Sequence, residues 1–123
     1  MSCSRGEIKI KEILEMNGLN FQQEYSFPDL ISSSRRALRF DFAVFDDDGN
    51  VDFLIEYQGE QHYEAFKHFG GKRNLARQQY NENQKRIYCA RKEIPLVIIP
   101  YWKFIELDYD LIINCAYNGG GVV

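Results

Sequence analysis

Two acidic side chains face each other across a turn in this chain. Asp41 stands in Arg39-Phe40-Asp41-Phe42-Ala43-Val44-Phe45, and Glu56 in Asp52-Phe53-Leu54-Ile55-Glu56-Tyr57-Gln58-Gly59. Both segments alternate with the period of a β-strand, and Asp46-Asp47-Asp48-Gly49-Asn50 between them carries an Asp-Gly hairpin signal. A turn centred on Asp48-Gly49 sets Asp41 directly opposite Glu56 on one face, with Cβ atoms about 5 Å apart. Carboxylates that close repel unless a positive charge lies between them, and a divalent cation answers that need. Mg²⁺ takes one or two carboxylates and fills its other positions with water and phosphate oxygens. Asp41 and Glu56 are therefore the expected ligands of Mg²⁺ or Mn²⁺. A cation held there polarises a phosphoryl oxygen and lowers the pKa of a bound water. The same spacing also describes two solvent-facing strand acids, and spacing alone does not choose.

Other residues fall around this pair. Gln58 shares the face of Glu56; it is no base, but its carboxamide can hold a water or lend an oxygen to a metal. His62 follows in Gly59-Glu60-Gln61-His62-Tyr63 and titrates near neutrality, as a general acid or base must; a lone loop histidine is also often structural. Glu7 is either a further acid for the pocket or the capping-box partner of Ser4. Gln78, Glu82, Lys85 and Cys89 make one helical stripe, which would let Lys85 supply the charge missing at Gln58. The plain alternative is a solvated Glu82–Lys85 pair. Arg35, Arg36 and Arg39 precede the hairpin, and Lys67, His68, Lys72, Arg73 and Arg77 follow it. Of these, Arg35, Arg36, Arg39, Lys67, Lys72 and Arg73 are the candidates for nucleic-acid contact, with ordinary surface charge as the competing reading. No GxSxG elbow, P-loop or GxGxxG occurs, and Pro28-Asp29 lies too far from Glu56 to belong with it.

The elements that must position these groups are legible in outline. Ser4 caps a helix from Arg5 to Asn17 that Asn17-Gly18 ends. Phe21 to Phe27 is a strand, mixed in polarity like an edge, and Pro28 to Ala37 a loop. The hairpin strands run roughly over 38–46 and 51–58. Phe40, Phe42 and Val44 face the core with Val51, Phe53, Ile55 and Tyr57. Arg39, Asp41, Ala43 and Phe45 face the other way with Asp52, Leu54, Glu56 and Gln58. A helix spans Lys72 to Lys92. Leu96-Val97-Ile98-Ile99, between Pro95 and Pro100, is a crossover strand buried on both faces. A closing helix lies within 104–117. The expected fold is α/β: a mixed central sheet of about four strands flanked by helices, in one domain over 1–117, with 118–123 a flexible tail.

Composition sets the outer bounds. The chain has 123 residues, 45% of them hydrophobic and 15% aromatic, enough for a core. Cys3, Cys89 and Cys115 lack CxxC spacing and read as reduced thiols. No apolar run is long enough to cross a membrane, and the opening residues lack the apolar stretch of a secretory signal, so a cytoplasmic location is expected. A net charge of −3 argues against a protein that merely coats nucleic acid.

Taken jointly, these segments resemble a known group. Arg39-Phe40-Asp41-Phe42, Ile55-Glu56-Tyr57-Gln58-Gly59-Glu60-Gln61-His62-Tyr63 and Phe69-Gly70-Gly71 form one part of the likeness. Lys85-Arg86-Ile87-Tyr88-Cys89 and Ile94-Pro95-Leu96-Val97-Ile98-Ile99-Pro100-Tyr101-Trp102 form the other. Over about Gly6 to Trp102 the chain is similar to small PD-(D/E)XK nucleases of the very-short-patch-repair (Vsr) type and to nuclease domains of phages, large DNA viruses and some homing endonucleases. The resemblance implies a restriction-endonuclease-like core, a divalent metal and phosphodiester hydrolysis in DNA, with RNA an open alternative. It makes Asp41 the sheet acid, Glu56 the second acid, His62 the histidine after the second strand and Glu7 the helix acid. Glu82 stands where relatives often carry Asp. The chain departs at Gln58, where such relatives usually have Asp and the wider superfamily Lys. No DNA-reading module is evident, so specificity is expected from loops, a homodimer or a separate partner, in a setting such as a phage-infected cell. The competing expectation is a nuclease-fold module that binds nucleic acid or a protein without cutting, for example a phage-encoded inhibitor.

Overall fold

The computed structural model describes residues 4–60 and 71–123, with backbone alone for residues 71–75. His62 and Lys67 lie outside the described residues. Helix α1 (Arg5–Met16) starts where Ser4 accepts the Glu7 N–H at 3.2 Å and donates to Glu7 Oε1 at 3.0 Å. The cap satisfies one backbone donor that the first turn leaves open, the Glu7 N–H, while the Glu7 carboxylate takes the Ser4 hydroxyl. Its buried stripe is Gly6, Ile10 and Leu14. Strand β1 (Asn20–Ile31) follows, then β2 (Ala37–Phe45) and β3 (Val51–Gln58). Asp46 Oδ1 accepts the N–H groups of Asp48 and Asn50, both at 2.9 Å, and Gly49 takes φ +84° to close the hairpin.

Helix α2 (Gly71–Lys92) crosses over to β4 (Leu96–Pro100), and a 3₁₀ turn (Tyr101–Lys103) leads to α3 (Tyr109–Tyr117). The sheet order is β1-β2-β3-β4-β5, where β5 is Gly121–Val122. β1, β2 and β3 are antiparallel, while β3–β4 and β4–β5 are parallel. This is an α/β fold with a mixed five-stranded sheet between helices. β4 is buried throughout, as its apolar run requires. One face carries Phe42, Val44, Phe53, Ile55, Val97 and Ile99 against Ile10 and Leu14 of α1 and Ile112 and Ala116 of α3. The other carries Leu38, Phe40, Ala43, Leu54, Leu96 and Ile98 against Tyr88 and Cys89 of α2.

Four expectations need correction. β1 continues through Pro28 to Ile31; it is an edge strand, so the missing proline N–H leaves no central ladder bond unmade. Residues 118–123 are no flexible tail. β5 pairs with β4, Val123 N–H donates to Ile98 O at 3.0 Å, and the side chain of Val123 packs on the core. Phe40 is buried with Leu38 on the α2 face, not with Phe42 and Val44. Both strands exchange faces here: Phe21 packs with Phe42, whereas Tyr25 and Phe27 pack on the α2 side. The exchange falls where Glu24 adopts φ +53°, between the pairs Gln23–Phe42 and Tyr25–Phe40. Val51 also changes side, because the register shifts between Val44 and Phe45.

Candidate active site at the end of strand β3

The ladder between β2 and β3 pairs Val44 with Phe53, Ala43 with Leu54 and Phe42 with Ile55. Continuing it by one residue sets Asp41 opposite Glu56. Asp41 is also where β2 changes faces, so its side chain reaches across to the neighbouring strand. Its Oδ2 accepts the Tyr57 N–H at 2.7 Å. Its charge also acts on the Glu56 carboxyl and adds to the rise there.

Lys85, on α2, points down onto the sheet and donates from Nζ to Glu56 Oε1 at 2.6 Å. The two side chains are only 18% and 17% exposed. The stripe position of Lys85 explains this reach. Cys89, one turn on, is buried in the same interface, and Lys85 Nζ lies 5.2 Å from the centre of the Phe40 ring. Burial pushes the Glu56 carboxyl up to about 8, with Lys85 pulling it down and Asp41 adding to the rise. Burial raises Asp41 as well. The Tyr57 N–H opposes that rise, Glu7 adds to it and Lys85 opposes it. One lysine therefore does not offset the cost of two enclosed acids, and the site favours added positive charge.

Glu7 accepts from the Ser4 hydroxyl at the helix start, and its charge adds to the rise of Asp41. Gly6 makes that approach possible. A Cβ there would sit 2.0 Å from Cζ of the Tyr57 ring, so only glycine lets α1 lie so close to the end of β3. Beside Glu56 opens a cavity of about 290 Å³, lined by Leu38, Tyr57, Gln58, Leu96 and Ile98 from the sheet. Gln78, Asn81, Glu82, Lys85 and Arg86 line it from α2.

Among the described residues no group of three or more His, Cys, Asp and Glu side chains is arranged to hold a metal. The oxygen donors are the Asp41–Glu56 pair, which suits an ion that takes few protein ligands and completes its shell with water and phosphate. Two enclosed carboxyls, Asp41 fixed by the Tyr57 N–H and Glu56 only 17% exposed, are the observation that fits such an ion to this place.

The structure thus brings Glu56 and Lys85 into contact, leaves Asp41 within electrostatic reach of both and of Glu7, and sets Gln58 and Glu82 around the same cavity. Arg35 and Arg36 are exposed in the turn between β1 and β2, and Arg39 is exposed on β2. Because β2 runs antiparallel to β3, all three lie toward the end of the sheet that carries Glu56 and Gln58. Lys72 and Arg73 open α2, roughly three turns before Lys85. Pro28-Asp29 is structural: Asp29 accepts the Tyr88 hydroxyl at 2.6 Å and pins β1 to α2. Sequence reasoning missed Gly6, the Tyr57 N–H and Asn81. Asn81 was within reach, since it precedes Lys85 by one helical turn on the same face.

No protein-family model matches the chain, and no solved structure matches it. Among curated proteins, an uncharacterized protein designated 094L, of Frog virus 3 (isolate Goorha), is 43% identical over 49 residues. That segment is 38% of this chain and spans 32% of the viral protein.

Proposed function

We propose that this chain is a divalent-metal-dependent endonuclease that hydrolyses phosphodiester bonds in DNA. The observation that carries the reading is the enclosed trio of Asp41, Glu56 and Lys85, two acids acting on each other with an ammonium 2.6 Å from one of them. The same trio supports a restriction-endonuclease-like reading of the core and Mg²⁺ or Mn²⁺ as the ion. A cation held by Asp41 and Glu56 would polarise the scissile phosphate and acidify a bound water. The Tyr57 N–H fixes Asp41 from the backbone, so one ligand is oriented before any ion arrives. Lys85, with three donors, can hold a phosphate oxygen or an attacking water beside Glu56. Gln58 can orient a water but cannot take its proton, so the proton of a water that a bound cation would acidify would pass to His62 or to bulk solvent. Arg35, Arg36 and Arg39 supply positive charge where a nucleic-acid backbone would pass.

Purified protein with Mg²⁺ or Mn²⁺ should nick supercoiled plasmid, and Asp41→Ala and Glu56→Ala should each remove that activity. Equal cleavage by wild type and Glu56→Ala contradicts the assignment. One observation favours a second reading, a binding module that does not cut: the Lys85 ammonium pairs directly with the Glu56 carboxylate. DNA binding without cleavage at any Mg²⁺ or Mn²⁺ concentration would select it.

A further inference from the structure

Two cations on α1 share one aromatic ring. Arg5 Cζ lies 4.9 Å and Lys9 Nζ 4.6 Å from the centre of the Phe104 ring. Lys9 Nζ also donates to Phe104 O at 2.5 Å, which uses one of its three donors. With Ile8 and Glu12 the three residues line an open cavity of about 380 Å³. Among the described residues neither cation is in an ion pair, Glu12 included. Like charges four apart on a helix repel by about 0.2–0.5 kcal/mol. A cation in the first turn also meets the positive end of the helix dipole. Glu7, the acid of that turn, takes the Ser4 hydroxyl and acts on Asp41. The ring face offsets part of this repulsion, and an anion in the cavity would offset the rest. Position ties the cavity to the site. Gly6 lies on the Tyr57 ring, Arg5 opposes the rise that burial causes at the Tyr57 hydroxyl, and the Tyr57 N–H holds Asp41. Phe104 follows the 3₁₀ turn at the end of β4, which runs parallel to β3. Ring and cations therefore stand at the end of the sheet that carries Glu56 and Gln58.

Resting on the nuclease reading above, we infer that Arg5 and Lys9 hold backbone phosphate of the DNA strand on the α1 side of Asp41. The Phe104 ring and carbonyl order both cations in advance, so less side-chain freedom is lost when the strand arrives. The contact is to phosphate and carries no sequence preference. The nearness of Asp41, and not charge alone, selects a nucleic-acid phosphate over an acidic protein. Arg5 and Lys9 are binding residues here and have no part in the hydrolysis.

The test is binding, measured apart from cleavage, with metal chelated by EDTA. Anisotropy of a short fluorescein-labelled duplex gives the affinity over a series of salt concentrations. The logarithm of affinity falls against the logarithm of salt with a slope of about −0.9 for each phosphate neutralised. Arg5→Gln with Lys9→Gln should make that slope shallower by about 1–2, according to whether the two cations neutralise one phosphate or two. Binding should weaken to the same degree on duplexes of unrelated sequence. Arg5→Lys with Lys9→Arg keeps both charges and should keep the wild-type slope. Lys11→Gln should keep it too, since Lys11 is exposed on α1 outside the cavity. A purely structural role would move the melting temperature and not the slope. Should the double variant lose its fold, Arg5→Gln alone carries the test with a change of about 1, because the bond to the Phe104 carbonyl belongs to Lys9. Absence of duplex binding by the wild type, or an unchanged slope in a folded variant, overturns the inference. Loss of polyglutamate binding with DNA affinity unchanged also overturns it, by giving the cations to an acidic protein. A shallower slope in variants of a protein that cuts no plasmid would sink the nuclease reading and keep the phosphate site; cleavage with an unchanged slope would do the reverse.

Discussion

Lys85→Met removes the ammonium 2.6 Å from Glu56 and leaves a chain of similar length. Both side chains are more than four-fifths shielded, so solvent screens the pair poorly. Removing one member of such a pair costs about 3–5 kcal/mol when the other stays charged. Glu56 has an escape, because it can hold a proton instead, and pH decides which outcome applies. Its ordinary value is 4.5 and its folded value is pushed up to about 8. For an acid raised by folding, the unfolded chain gives up its proton first. The contribution to stability is then full below 4.5 and is lost as pH rises through 8. The metal-free wild type should lose stability over that window. Without Lys85 the folded value rises further, so Lys85→Met goes on losing stability above pH 8, where the wild type levels off. The gap between the two should be small at pH 5 and widen by at most about 1.4 kcal/mol by pH 9, one pH unit above the wild-type value. Urea unfolding in EDTA at pH 5, 7 and 9 measures it. A gap of the same size at pH 5 and pH 9 refutes the reasoning, since it would mean that Lys85 acts by packing and not by charge.

Two further outcomes follow from close backbone approaches. Gly6→Ala places a methyl group 2.0 Å from the Tyr57 ring and should cost about 1–3 kcal/mol by overpacking. In a Tyr57→Leu background the same change should cost much less, and thermal melts of the four proteins settle it. Gly120 has φ +85°, and a Cβ there would lie 2.6 Å from Leu96 N, so Gly120→Val should detach β5. Hydrogen exchange reads this at the Val123 N–H, which donates to Ile98 O: slow in the wild type and fast in the variant. Equal rates would show that β5 does not hold that amide.

How much of this was legible in the sequence depended on whether the signal was local. The Asp48-Gly49 signal placed the hairpin, but the turn closes at Asp46–Asn50, and a bulge between Val44 and Phe45 restores the expected pairing of Phe42 with Ile55 that leads on to Asp41 and Glu56. Lys85 was legible because helical period alone puts it on the stripe with Cys89. The face exchange at Asp41 was not, since it falls opposite a left-handed Glu24 and nothing in a glutamate foretells a positive φ. It matters for the site, because it turns Asp41 toward Tyr57. The run Gly119-Gly120-Gly121 reads as slack chain, yet all three take positive φ, and Gly120 lets the strand press against Leu96. The cavity wall from α2 was half legible: Gln78, Glu82 and Lys85 lie on the marked stripe, while Asn81 and Arg86, which also line it, lie off it.

The central claim is that Asp41 and Glu56 together hold a divalent cation. Anomalous diffraction from crystals equilibrated with Mn²⁺ tests it most directly. The account predicts a peak about 2 Å from a carboxylate oxygen of each residue, with Lys85 Nζ drawn away from Glu56 Oε1. A fully exchanged crystal with no peak between the two acids, and Lys85 still bonded to Glu56, would contradict it.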